Sequence, residues 1–463
     1  MKTWDHVKEN IQIAYIGGGS RGWAWGLMSD LAVEPSLSGH VKLYDIDFEA
    51  AAQNAVIGNR LTERGDTVGK WTYEAVPVLK DALRGADVII ISILPGTFQD
   101  MKSDVHLPEE YGIYQSVGDT IGPGGLVRAL RTVPIYVEFA EAIRQYAPGA
   151  WVINYTNPMT LCTRTLYEIF PGIKAVGCCH EVFGTQKLLA KMLETKGYGK
   201  VDRRDIKVNV LGINHFTWLD QASYKDIDLM PMYREFVDEH YEEGFEGHEK
   251  GHWMNDHFAS ANRVKFDLFK RYGVIAAAGD RHLAEFMPGD MYLKDPETVR
   301  SWKFSLTSVD WRIGNRKMLD AKGKRLASGE EAFELKPTGE EGVDMIKAFL
   351  GLTRDFVTNV NLPNRGQMQD IPLGAVVETN AVFGYDEARP VVAGRLPDPV
   401  HEMVLRHVNN QEMTLKAALN KDKQLAFQAF VNDPLVRIPK DKAEELFERM
   451  LQNTKHMLPG WDL

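Results

Sequence analysis

The sequence predicts an α/β fold built on a parallel sheet, and three observations predict it. Short β-branched runs alternate with helical patterns over about the first 200 residues, which implies parallel strands with helices on both faces. One run, Asp87 to Leu94, is apolar nearly throughout, as suits a central strand buried on both sides. After about residue 200 long helical stretches take over, so a mainly helical α+β region follows the sheet. A chain of 463 residues is long enough for two to three domains.

Taken in order, Ile11 to Ile16 reads as a strand and Arg21 to Ala32 as a helix. Val41 to Tyr44 and Phe48 to Leu61 repeat that pair. Leu126 to Tyr146 reads as a long helix. Trp151 to Asn154 and Ala175 to Cys178 read as further strands, each followed by a helical stretch. Ile206 to Ile213 is strand-like. Helices are then expected at Glu297 to Met318, Gly342 to Leu350, Val400 to Asn420 and Lys440 to Met457, with a small sheet around Ala375 to Val382. These spans divide the chain into residues 1–200, a Rossmann-like nucleotide-binding domain, and residues 201–463, a substrate-binding domain.

Composition excludes several classes. The 44% hydrophobic and 25% charged content is that of a globular protein. A net charge of −10 without a basic cluster leaves no footprint for nucleic acid. The longest apolar stretch, Val88 to Leu94, is too short to span a bilayer, and Met1 to Asn10 lacks the apolar region of a signal peptide. Three cysteines, Cys162, Cys178 and Cys179, make an odd count that argues for a reducing compartment, so a cytoplasmic location is expected.

Gly17, Gly19 and Gly22 fit G-x-G-x-x-G between the first strand and its helix. Such glycines permit a tight turn and let a pyrophosphate approach the backbone N–H groups of the helix N-terminus; Ser20 adds a hydroxyl. Asp45 ends the second strand, where an acid takes the ribose hydroxyls and repels a 2′-phosphate. NAD is the cofactor expected there. The bland reading is a glycine-rich turn and an ordinary strand-end carboxylate.

Three segments place polar groups at strand carboxyl ends: Asn154-Tyr155-Thr156-Asn157-Pro158, Gly177-Cys178-Cys179-His180-Glu181 and Gly212-Ile213-Asn214-His215. A Cys179 thiolate and a His215 imidazole would give a divalent metal an incomplete shell, open to substrate oxygens. Each taken alone reads equally as a packed core residue.

With Gly17 to Ser20, Gly118-Asp119-Thr120-Ile121-Gly122-Pro123-Gly124-Gly125, Arg128-Ala129-Leu130-Arg131, Cys179-His180-Glu181-Val182, Asn364-Arg365-Gly366 and Val376-Val377-Glu378, the order of motifs resembles glycoside hydrolase family 4 over roughly residues 10 to 380. The resemblance implies a glycosidase that uses NAD and a divalent metal, usually manganese, without net redox: oxidation at sugar C3, elimination of the aglycone from C1, addition of water and re-reduction. It implies Cys179 and His215 as metal ligands, and Asn157, with Asn154, as hydrogen-bond partners of sugar or nicotinamide. Asp119 falls near the sugar and His180 is the acid for the leaving group. The base at C2 is Asp280, in Ala278-Gly279-Asp280-Arg281-His282, or else Tyr272. Cys179-His180-Glu181-Val182 resembles the α-galacturonidase group, whose substrate carboxylate requires a cation; Arg263, Arg281 and His282 are candidates. The family also implies a homodimer or homotetramer. The alternatives are an α-glucuronidase or α-galactosidase of the same family, a lactate/malate-type dehydrogenase reading Arg128 and Arg131 as carboxylate binders, and a non-catalytic NAD sensor. A dehydrogenase would accumulate NADH, and a sensor would have no activity to lose.

Overall fold

The computed structural model describes residues 7–245 and 260–463. Thirteen strands occur among them: β1 (Lys8–Ile16), β2 (Leu37–Tyr44), β3 (Lys70–Val76), β4 (Val88–Ile91), β5 (Trp151–Asn154), β6 (Lys174–Gly177), β7 (Ile206–Ile213), β8 (Phe216–Tyr224), β9 (Ile227–Asp228), β10 (Ile275–Ala276), β11 (Phe356–Pro363), β12 (Val376–Gly384) and β13 (Glu387–Pro390). Nine form one sheet in the order β13-β12-β11-β6-β5-β4-β1-β2-β3, parallel from β6 to β3. The strands β11 to β13 extend it antiparallel. A smaller antiparallel sheet holds β10-β8-β7, with β9 beside β8.

Alternation along β1 shows why both faces of the large sheet are buried. Ile13 and Tyr15 pack with Trp25, Met28 and Trp71 on one side, while Ala14 and Ile16 pack with Tyr136, Phe139 and Ile143 on the other. All four residues of β4, Val88 to Ile91, are buried, as its continuous apolar run requires. The parallel strands therefore end on one common edge, where Gly17, Ser92, Asn154 and Cys178 follow or close their strands. Behind it, the helix Gly122–Tyr146 packs against the C-terminal helices Asp398–Asn420, Lys423–Asn432 and Lys440–Thr454 through Val127, Leu130, Val404, Phe430 and Leu446. Among the described residues no helix is long and apolar enough to cross a membrane.

Several expected elements fall differently. The strand foreseen around Ala375 to Val382 exists as β12, but it joins the large sheet through β11. The helix expected over Glu297 to Met318 is two, Pro296–Ser301 and Val309–Ser328, because Asp295 and Ser308 each cap a new start with a side-chain oxygen. Strand β3 alternates exposed and buried residues and β8 begins with four buried ones; neither is among the expected elements.

One buried ion pair fastens the helix Phe98–His106 to the long helix. Arg131 grips both carboxylate oxygens of Asp104 and donates through Nε to the Pro95 carbonyl at 3.1 Å; neither charged side chain is more than 2% exposed. Removing one partner strands a buried charge. Asp104→Asn is expected to cost about 3 kcal/mol, measurable by denaturant unfolding; a loss within error of zero would contradict this account.

Candidate active site

The turn after β1 is built for close approach. Gly17 has φ +92°, and a Cβ there would lie 2.0 Å from the Ser92 carbonyl oxygen. At Gly19 a Cβ would lie 2.8 Å from Asp45 Oδ2, which instead accepts the Gly19 N–H at 2.9 Å. Asn54 ties the turn down by donating to the Gly18 and Ser20 carbonyls at 2.8 and 2.9 Å. Ser20 Oγ accepts from the Gly22 and Trp23 N–H groups, so its hydroxyl sits at the first turn of the helix Trp23–Ala32. Gly17, Gly19, Ser20, Gly22 and Asp45 therefore lie together.

At the same sheet edge a second group of polar side chains converges. Among the described residues, ligand atoms of Asp119, His215 and His282 lie within 4.8 Å of one another. The His215 and His282 rings stack with centroids 3.6 Å apart. Thr120 Oγ1 bridges, 2.7 Å from Asp119 Oδ1 and 2.8 Å from His215 Nδ1. Asn157 Nδ2 donates to Asp119 Oδ2 at 3.3 Å, and Arg128 Nε donates to the Asn157 carbonyl at 3.0 Å. His215 belongs to the two-residue turn between β7 and β8, where its φ of +65° places it in the left-handed region.

Electrostatics prepare these groups for a cation. Burial opposes ionisation of Asp119, yet the charges of His282, Arg128 and His215 hold its carboxyl far below the usual range. Burial and the neighbouring His282 push His215 down to about 3. Glu181 would be raised by burial, but His282, His180 and His215 bring it to about 2. Its Oε2 accepts the Gly279 N–H at 2.6 Å, and its Oε1 stands 3.7 Å from His282 Nε2. Deprotonated imidazole and ionised carboxylate are the forms that bind metal.

The other expected residues take varied places. Cys179 follows β6 and is buried. Its carbonyl accepts from Asn359 Nδ2 at 3.4 Å. It is not in the close group formed by His215. His180 is half-buried, with Nδ1 3.3 Å from Glu340 Oε1 and its ring 6.1 Å from that of Trp23. Asn154 spends its amide inside the protein, on Tyr136 and Thr156, and so shapes the turn that presents Asn157. Asp280 is fully buried; Oδ1 accepts the Lys265 N–H at 3.0 Å, Oδ2 has no protein partner, and burial pushes the carboxyl up to about 6. Tyr272 packs edge-on against Trp218 instead. Arg263 is held by the Tyr241 and Ser301 carbonyls and lies over Trp302, whereas Arg281 donates to the Ser305 and Ser116 carbonyls beside the Asp119 loop.

Sequence reasoning missed Glu285, Arg312 and the role of Glu378. Glu285 Oε1 accepts the Val117 and Gly118 N–H groups at 2.7 and 2.9 Å, fixing the loop that carries Asp119; burial pushes its carboxyl up to about 8. The charge of Arg312 acts on Asp119, Arg128 and Arg281. No local motif announces Glu285 or Arg312.

The model of the family 4 glycosyl hydrolases matches residues 12–195, and that of the family's C-terminal domain matches residues 210–436. The chain belongs to glycoside hydrolase family 4. This family 4 glycosidase is 64% identical over 464 residues to an alpha-galacturonidase of Thermoanaerobacterium saccharolyticum, covering 100% of both chains. The crystal structure of a putative glucosidase from Bacillus subtilis superposes with a TM-score of 0.91 at 56% identity, covering 96% of this chain and 100% of that one. A 6-phospho-alpha-glucosidase from gut microorganisms, solved in complex with NAD and Mn2+, shares the fold with a TM-score of 0.81 at 19% identity, covering 98% and 100%.

The depressed His215 pKa has a signed consequence for the metal-free glycosidase. A histidine whose folded-state pKa lies below the unfolded value of 6.5 stabilises the fold fully above pH 6.5 and loses that contribution as pH falls toward 3. The metal-free protein is expected to melt progressively lower between pH 6.5 and 4, and His215→Gln to show a shallower decline. Nitrogen chemical shifts should report a neutral His215 ring at pH 5; a protonated ring there would contradict the assignment.

Proposed function

We propose that this family 4 glycosidase hydrolyses α-galacturonides with the help of bound NAD and a divalent metal, manganese being the expected ion. One observation carries the reading: Asp119, His215 and His282 converge beside Asn157 at the edge where the glycine turn also lies, in a chain 64% identical to an alpha-galacturonidase. The residues fit both groups. Only glycine fits at Gly17 and Gly19, and Asp45 stands beside the turn. Asn157 Oδ1 and His282 Nδ1 are shielded and have no partner within the protein, next to an ionised carboxylate and a neutral imidazole.

Gly17, Gly19, Ser20, Gly22 and Asp45 would hold NAD, and Cys179 and His215 would hold the metal, with Asp119 and His282 close by. When bound, these groups supply reversible hydride transfer at C3 and Lewis-acid polarisation of the sugar oxygens. Everything else falls to side chains. Asn157 and Asp119 orient sugar hydroxyls. His180, steadied by Glu340, gives its proton to the departing glycosidic oxygen. Asp280 takes the C2 proton; a carboxyl pushed up to about 6 is ionised at neutral pH and still a stronger base than an exposed aspartate. Arg281 and Arg312 supply positive charge for the C5 carboxylate, since Arg263 is engaged elsewhere.

Hydrolysis of 4-nitrophenyl α-galacturonide is expected only with NAD, Mn2+ and a reducing agent together, and to stop on adding a chelator. Rates indifferent to both cofactor and metal would defeat the mechanism. Accumulating NADH would favour the dehydrogenase, and faster cleavage of the neutral galactoside or of the glucuronide would overturn only the substrate. Asp280→Asn is expected to lower kcat by about 10²- to 10⁴-fold while Mn2+ binding persists. Deuterium at C2 should wash out during wild-type turnover. Normal exchange in the variant would remove Asp280 from the role.

A further inference from the structure

Beneath the expected metal ligands lies a carboxylate that the reaction itself does not use. Glu378 on β12 is 1% exposed, and three asparagine amides converge on it. Asn359 Nδ2 donates to Oε1 at 2.7 Å; Asn361 and Asn214 donate to Oε2 at 3.1 and 3.3 Å. All three asparagines are buried. Two of them come from β11, next to Glu378 in the large sheet, where Asn361 is its direct register partner. Asn214 comes from the turn of the small sheet and immediately precedes His215. The Asn359 amide also reaches the Cys179 carbonyl at 3.4 Å.

We propose that Glu378 is a positioning residue for the divalent-metal site: its single carboxylate ties the Cys179 segment, through Asn359, to the Asn214-His215 turn, and so sets the spacing of two ligands that belong to different sheets. The inference rests on the reading that Cys179 and His215 hold the metal. Burying a carboxylate is among the costliest ways to join two sheets, and an apolar contact of equal volume would serve stability as well. What an apolar contact lacks is direction. Two oxygens with defined lone pairs fix three amides at once; Asn359 and Asn361 also reach the Cys179 and Gly177 carbonyls, at 3.4 and 3.5 Å, and Asn214 precedes His215. The neighbouring Asn380 strengthens the same junction by donating to the Val208 carbonyl of β7 at 2.7 Å. The His215 turn needs such support, because its left-handed backbone is one that a non-glycine residue holds only when its surroundings enforce it.

Glu378→Gln keeps the volume but puts an NH₂ where one oxygen accepted, so at least one amide loses its partner. Titration of the metal-free protein with Mn2+, followed by the electron paramagnetic resonance of free Mn2+, is expected to show affinity about 10- to 100-fold weaker than wild type. NAD binding, followed by tryptophan fluorescence, should be unchanged within error, and saturating Mn2+ should restore much of kcat. Asn214→Ser, which cuts the link from the other side without touching the carboxylate, should weaken Mn2+ in the same direction and decides the matter where Glu378→Gln fails to fold. Wild-type Mn2+ affinity in the folded variants, or equal losses of NAD and Mn2+ binding, overturns the proposal. Cys179→Ser separates the two levels: if it abolishes Mn2+ binding while Glu378→Gln leaves it intact, only the positioning role falls. If Cys179→Ser binds Mn2+ normally, the location of the metal falls as well.

Discussion

The antiparallel contact of β11 with β6, made at the single register pair Asn361–Gly177, is the constraint on which the site depends. Parallel strands from the first half of the chain bring the glycine turn, Asn157 and Cys179 to one edge, but the sheet would end at β6. The close approach is possible because Gly177 has no side chain: a Cβ there would lie 2.8 Å from Met159 Cγ and Thr163 Oγ1, and 2.9 Å from the Asn361 Cβ. Once β11 is in place, β12 follows beside it, and Glu378 comes to lie under the segment that carries Cys179. The second half of the chain thereby completes the sheet that the first half begins, and the smaller sheet is held against it through Asn380 and Asn214.

A short helix does comparable work on the opposite side of the cluster. In Asp280–Glu285, Arg281 donates to the Ser116 carbonyl and Glu285 accepts from Val117 and Gly118, so both ends of the helix grip the loop leading to Asp119. Between them His282 stacks on His215. Position and charge are thus set together. The helix cannot shift without moving Asp119, and Asp119 is the carboxylate whose charge offsets part of what burial and His282 impose on His215. Glu181 enters from the Cys179 side and pins the start of the same helix at Gly279.

How much of this was legible in the sequence follows from the range of each interaction. The first sheet was readable because strand, glycine turn, helix and acidic strand end are local patterns, and Gly17 to Asp45 assemble as those patterns require. β8 escaped because its first four residues are all buried and leave no alternation, whereas the alternation of β3 was there to be read. His282 was visible only as a cation near Asp280; its meeting with His215 spans a stretch of chain that no spacing rule covers. Asn154 looked like a ligand because of where its strand ends, yet its amide is consumed by Tyr136 and Thr156. Glu378 stood within a family motif, but its purpose is set by three amides, one of which belongs to the other sheet.

The position of His180 joins the nucleotide side of the site to the chemical side. Its ring lies beside Trp23, the first residue of the helix that opens the nucleotide turn, and Trp23 in turn stacks on Tyr155 at 5.1 Å between Asn154 and Asn157. Three segments that follow parallel strands are therefore in aromatic contact. The proposed reaction, which would oxidise one sugar carbon while breaking a bond two carbons away, would need such closeness. In that reading the hydride acceptor, the acid and the groups that orient the hydroxyls would have to lie close together, because each separate site would need the sugar to move between steps. In this fold the common edge of the parallel sheet brings those segments together. The long-range ties at Glu378 and Glu285 then fix the groups that no parallel strand delivers.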